Sequence, residues 1–145
     1  DNLRIFGKDD EFFVNYFVGV EDNRPVPVIE GICKWVVKPG ILFNLIGELI
    51  EFSSIGIFHS KDELNLEIKS HLVNGKSKIH AMKVSGEDEC RSYYDMGFMI
   101  YISAIRHIFD EIVFGFGNDT PSIIEGSNEL VKFKWILANR VKEDE

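Results

Sequence analysis

The sequence predicts an α+β domain: a single unit over residues 1–145, with an antiparallel or mixed sheet of four or more strands and two or three helices packed on it. Three observations carry that prediction. Several short runs alternate their side chains with a period of two. Other runs repeat apolar residues every three or four positions. The two kinds do not follow one another in the regular strand–helix–strand order of a parallel sheet. A chain of 145 residues, 45% of them hydrophobic, is long enough to bury a core without disulfides or metal.

Glu11 to Val20 (EFFVNYFVGV) is aromatic and β-branched, and predicts a first strand buried on both faces. Glu21 to Pro27 holds an asparagine and two prolines and predicts a loop. Val28 to Lys38 predicts a second strand, with Cys33, Trp35 and Val37 on one face and Ile32, Lys34 and Val36 on the other. Pro39-Gly40 stops it. Ile41, Leu42, Leu45, Ile46, Leu49 and Ile50 then recur at helical spacing, so the first helix is expected from Gly40 to Ser53.

Ser54 to His59 predicts an extended bridge. Ser60 has the character of a helix N-cap, with Glu63 at the capping-box position. Leu64, Ile68 and Leu72 follow at four-residue steps, so a second helix is expected from Ser60 to Asn74-Gly75. Ser77 to Ser85 predicts a third strand. Arg91 to Val113 predicts the longest helix, through Tyr94, Phe98, Tyr101, Ile102, Ile105, Phe109 and Ile112. Gly115 to Pro121 predicts a loop, and Val131 to Leu137 a final strand. The expected order is β-β-α-α-β-α-β.

The net charge of −8 is unevenly placed. Residues 1–22 carry −4 and residues 86–129 carry −7, while the rest of the chain is slightly basic. A general nucleic-acid binder needs lysine and arginine to displace counterions from phosphate, so direct nucleic-acid binding is not expected. The acidic segments are either a solvated surface or a docking face for a basic partner, where charge speeds association more than it adds affinity. The partner-binding candidates are Asp9, Asp10, Glu21, Asp22, Glu87, Asp88, Glu89, Asp110, Glu111 and Asp119. Tyr93 joins them, because a tyrosine beside carboxylates makes a good interface anchor when exposed.

Catalytic and metal motifs are absent from the sequence. His59, His71, His80 and His107 show no HxH, HxxxH or HExxH spacing, so no metal is expected. Glycines 115 and 117 do not complete a dinucleotide fingerprint, and no phosphate loop or GxSxG elbow occurs. No cofactor is expected. His80 and His107 are candidates for an acid–base pair if the fold brings them together, or either one with an acidic partner. Cys33 reads as a small buried hydrophobe, and the acids before Cys90 blunt its nucleophilicity. No stretch is apolar enough to span a membrane, and with two cysteines and no visible leader a reducing cytoplasm is the expected compartment.

Asp9-Asp10-Glu11, Glu87-Asp88-Glu89 and Asp110-Glu111, with Tyr93 and Tyr94 alongside, give the whole chain a character that resembles the bacterial immunity proteins of contact-dependent growth-inhibition systems. The likeness is one of overall character rather than of a motif. It implies a cytoplasmic, non-enzymatic antitoxin. Such a protein binds a basic toxin domain one to one, a ribonuclease in the expected case, and blocks its active site or substrate path. A small enzyme using His80 or His107, and an adaptor or regulatory module of a larger complex, are the alternatives.

Overall fold

A computed structural model describes residues 32–86 and 89–140. Their elements run β1 (Cys33–Val37), α1 (Pro39–Leu49), β2 (Ile55–Ser60), β3 (Leu64–Lys69), β4 (Asn74–Ile79), β5 (Ala81–Ser85) and β6 (Cys90–Asp95). Then follow α2 (Met96–Ile100), a 3-10 helix (Ser103–His107), β7 (Ile112–Phe116), β8 (Ser122–Ser127) and β9 (Lys132–Leu137). The strands form two sheets, one in the order β5-β1-β7-β8-β9 and one in the order β4-β3-β2-β6. Every pairing is antiparallel.

Strand alternation explains why the two sheets stack. Cys33, Trp35 and Val37 of β1 are buried while Lys34 and Val36 are half-exposed. Leu64, Leu66 and Ile68 of β3 and Cys90, Ser92 and Tyr94 of β6 form matching inward rows on the other sheet. The rows meet around Phe58, whose ring centroid lies 5.0 Å from Phe114, 6.1 Å from Phe116 and 5.9 Å from Tyr94. Tilted and edge-on rings at these spacings add to the burial itself. Trp35 Nε1 donates to Ser60 Oγ at 2.8 Å, so the one polar atom of a buried tryptophan is satisfied across the sheets.

Helix α1 starts where Pro39, in its first turn, loses no hydrogen bond. It buries Leu42, Phe43 and Ile46 on one stripe and packs against α2 and the 3-10 helix. Helix α2 is capped by Asp95, whose side chain accepts from the Gly97 amide at 2.8 Å. It approaches β2 closely: a Cβ on Gly56 would stand 2.8 Å from Met96 Sδ and 2.9 Å from Leu66 Cδ1.

The α+β class and the antiparallel pairing hold, but the expected single sheet is two. The first helix and the final strand lie where the sequence puts them. The second strand is found from Cys33, after Ile32, which is not in it; residues 28–31 and the expected Glu11–Val20 strand lie outside the described residues. The expected helix over Ser60–Asn74 is instead a strand and a hairpin turn. Leu64, Leu66 and Ile68 also obey a period of two, and a four-residue step fits both periods. Leu72 belongs to the turn and is 94% exposed, and Ser60 is a buried bonding partner rather than a cap. The long helix over Arg91–Val113 is broken into β6, α2, the 3-10 helix and the start of β7. The buried small residue Ser92 hides the alternation of Cys90 and Tyr94. Ser77–Ser85 is two strands in different sheets, divided at His80. Strand β8 was not expected.

Candidate functional site

The eleven acidic and tyrosine candidates do not gather into one face among the described residues. Asp9, Asp10, Glu21, Asp22, Glu87 and Asp88 lie outside those residues. Of the rest, Glu89 and Asp119 come together at one end of the sheets. Asn118 Nδ2 donates to the Glu89 carbonyl at 3.4 Å and Asn118 Oδ1 accepts from the Arg91 amide at 2.9 Å. Asp119, in the left-handed region at φ 52°, gives its amide to the Arg91 carbonyl at 3.3 Å. Asp110 and Glu111 lie before β7, whereas Asn118 and Asp119 follow it. At about 3.3 Å per residue, the intervening strand holds Asp110 and Glu111 roughly 20 Å from Asp119.

Asp110 and Glu111 border an open trough of about 1110 Å³ on the outer side of the five-stranded sheet. Lys38, Lys132 and Lys134 line the same trough, so its acids are not an isolated anionic patch. Lys134 Nζ lies 3.9 Å from Glu125, and Lys34 Nζ lies 4.0 Å from it. Tyr93 is half-buried on β6, where it bridges to Arg140 through the backbone.

The outer face of the four-stranded sheet carries a row of ion pairs that the sequence reading missed. His59 Nε2 and Glu89 Oε2 are 2.7 Å apart, and Arg91 reaches both carboxylate oxygens of Glu67 at 3.3 and 3.4 Å. Arg140 pairs with Asp95 at 3.7 Å and Lys78 with Glu63 at 3.4 Å. The hydrogen bond with His59 holds the Glu89 carboxyl below the ordinary carboxylate value; partial loss of water opposes this, and the charges of Lys61, His59 and Arg91 reinforce it. His59 faces Arg91 and Asn65 in register, which no spacing in the sequence announces. His80 and His107 do not line the trough, and neither shares a hydrogen bond with a carboxylate among the described residues. Among the described residues no three His, Cys, Asp or Glu are grouped to hold a metal ion, and no helix is long and apolar enough to cross a membrane.

The sheet edges differ in how they are finished. The outer edge of β6 is covered: Arg91 bonds Asn118 and Asp119, and the Tyr93 carbonyl accepts from the Arg140 amide at 2.7 Å. No such backbone bond covers the outer edges of β4 or β9 among the described residues. Asn74, Lys76 and Lys78 of β4 are exposed. An open six-residue edge presents a row of unpaired amides and carbonyls, a template for another strand.

No family model and no curated protein matches the chain. Among solved structures, PCNA from Thermococcus kodakaraensis superposes with a TM-score of 0.67 at 16% identity, over 82% of this chain and 52% of that one. The fold is similar to that of about half of the PCNA chain. The chain spans about half the length of that PCNA chain. At this identity the likeness concerns the fold alone.

Proposed function

We propose that the chain is a domain of a sliding-clamp protein, a non-enzymatic ring component that joins further domains of the same kind through its sheet edges. The observation that carries this reading is the two-sheet arrangement of the described residues, which superposes on about half of a PCNA chain, together with edges at β4 and β9 that no backbone bond covers among the described residues. Edge β4 belongs to the four-stranded sheet and edge β9 to the five-stranded one. A β4 edge that pairs with the β9 edge of a neighbour makes a head-to-tail contact between unlike surfaces. Such contacts close into a ring when the rotation between units allows it. Main-chain bonding along both strands would extend each sheet across the junction.

The sliding-clamp reading implies a duplex enclosed by the ring, and a net charge of −8 is compatible with that. A protein that grips phosphates needs a basic surface. A ring holds a duplex by enclosing it. Among the described residues the helices expose Glu48 and Arg106, with Lys38 just before α1 and Glu51 just after it, which is no strongly basic surface. Of the eleven candidates behind the basic-toxin expectation, six fall outside the described residues; Asp110 and Glu111 lie before β7, Asp119 follows it, Glu89 precedes β6 and Tyr93 lies within β6.

Proline at the β4 edge tests the proposal. Amide directions alternate along an edge strand, so one of Lys76→Pro and Ser77→Pro removes an outward N–H and the other an inward one. The outward variant should keep its circular-dichroism spectrum and lose self-assembly in light scattering. Assembly unchanged in both folded variants would refute edge pairing through β4.

A further inference from the structure

Cys33 opens β1 in the five-stranded sheet, and Cys90 opens β6 in the four-stranded sheet. Both side chains are completely buried, both are thiols, and their sulfurs stand 2.8 Å apart. They are 57 positions apart in sequence and sit on different sheets, so only the stacking brings them together. We propose that Cys33 and Cys90 are an oxidation site: they form a disulfide that ties the two sheets when the protein meets a small-molecule disulfide such as oxidised glutathione.

The geometry favours the bond. A disulfide needs about 2.05 Å between sulfurs, so the pair must close by less than about 1 Å. Its backbone is held on both sides. Cys33 lies opposite Phe116, and Cys90 lies opposite Ser60, which is anchored by Trp35. Gly86, just after β5, lies close against the Cys33 backbone. Gly86 has φ of 122°, and a Cβ there would fall 2.3 Å from the Cys33 Cα. The thiols therefore cannot swing far apart while the sheets stay packed.

Access comes through Cys90. It is the first residue of β6 and follows the exposed Glu89, and strand ends open locally far more often than the whole fold unfolds. In such an opening the Cys90 thiolate attacks one sulfur of oxidised glutathione. A mixed disulfide forms and one glutathione leaves as its thiolate. The Cys33 sulfur then attacks the Cys90 sulfur, the interchain S–S bond of the adduct breaks, and the second glutathione leaves. The two protons of the protein thiols end on the two glutathiones. The protein loses two electrons and the small disulfide gains them.

The experiment equilibrates the full chain in buffers of decreasing reduced-to-oxidised glutathione ratio. Samples are quenched in acid, the remaining thiols are capped with a maleimide, and intact mass and peptide mass are read. The expected product is lighter by two hydrogens, carries no maleimide and yields a peptide joining Cys33 to Cys90. Its melting temperature should exceed that of the reduced protein by several degrees, because the cross-link closes a long loop of the unfolded chain. Cys33→Ser and Cys90→Ser should each give no internal cross-link. If a serine variant fails to fold, the measurement on the natural sequence still decides. Both cysteines capped at the most oxidising ratio, or glutathione carried on each without a joined peptide, would overturn the proposal.

Discussion

Phe58→Ala asks whether the core is organised as the stacked sheets require. The ring is fully buried on β2 and touches Tyr94 of its own sheet and Phe114 and Phe116 of the other. Truncating a buried phenylalanine to alanine costs about 3–5 kcal/mol through lost transfer energy and the cavity left behind. Each of the three ring pairs is worth about 0.5–1.5 kcal/mol beyond burial, and part of that is already inside the larger figure. A loss of about 4 kcal/mol is therefore expected. Domains of this kind hold only about 5–15 kcal/mol in all, so the variant should lie close to the edge of stability. In urea, with a slope of about 2 kcal/mol per molar, the midpoint should fall by about 2 M. Phe52→Ala is the control, since that ring is 54% exposed; its cost should stay within about 0.5 kcal/mol. Equal losses in the two variants, or a loss under about 1 kcal/mol at Phe58, would refute the placement of Phe58 at the junction of the sheets.

Ser60→Ala leaves the Trp35 indole N–H buried without its acceptor and should cost about 1–3 kcal/mol, read as a lower melting temperature. Burial pushes the Tyr94 hydroxyl up to about 12 from an ordinary 10. Its contribution is present below pH 10 and is lost as the pH rises toward 12, a fall of about 2–3 kcal/mol in the alkaline limb that Tyr94→Phe should remove. Glu89 is shifted the other way, so its contribution is present above the ordinary carboxylate value and is lost as the pH falls below it; Glu89→Gln should flatten the acid limb of a stability–pH curve. Gly126→Ala places a Cβ 2.7 Å from the Phe109 ring and should cost about 1–3 kcal/mol in a denaturant titration, whereas Gly40→Ala, with open space around it, should not destabilise the fold by overpacking.

What the sequence could tell depended on which signals were unique to one period. Helix α1 was legible because Leu42, Leu45, Ile46 and Leu49 combine steps of three and four, which no strand reproduces. Strand β9 was legible because Lys132, Phe133, Lys134 and Trp135 alternate strictly. Strand β3 was not, since Leu64 and Ile68 at a step of four satisfy both periods. The segment from Cys90 to Phe116 changes from strand to helix to strand within 27 residues, and its apolar density blurs into one long helical stripe. The ion pairs over the second sheet were illegible for a different reason. His59 meets Glu89, and Arg91 meets Glu67, only through strand register and the return of the chain. The charge map itself was read correctly, but sequence distance does not report that β7 separates Asp110 and Glu111 from Asp119.

The most direct measurement of the clamp account is the particle formed by the full natural protein. Light scattering should give a mass of several domains of this fold, and electron microscopy of the same fraction should show closed rings with β4 of one domain laid antiparallel against β9 of the next. A monodisperse monomer at concentrations well above those of the assay, with β4 and β9 amides exchanging freely with solvent, would contradict it.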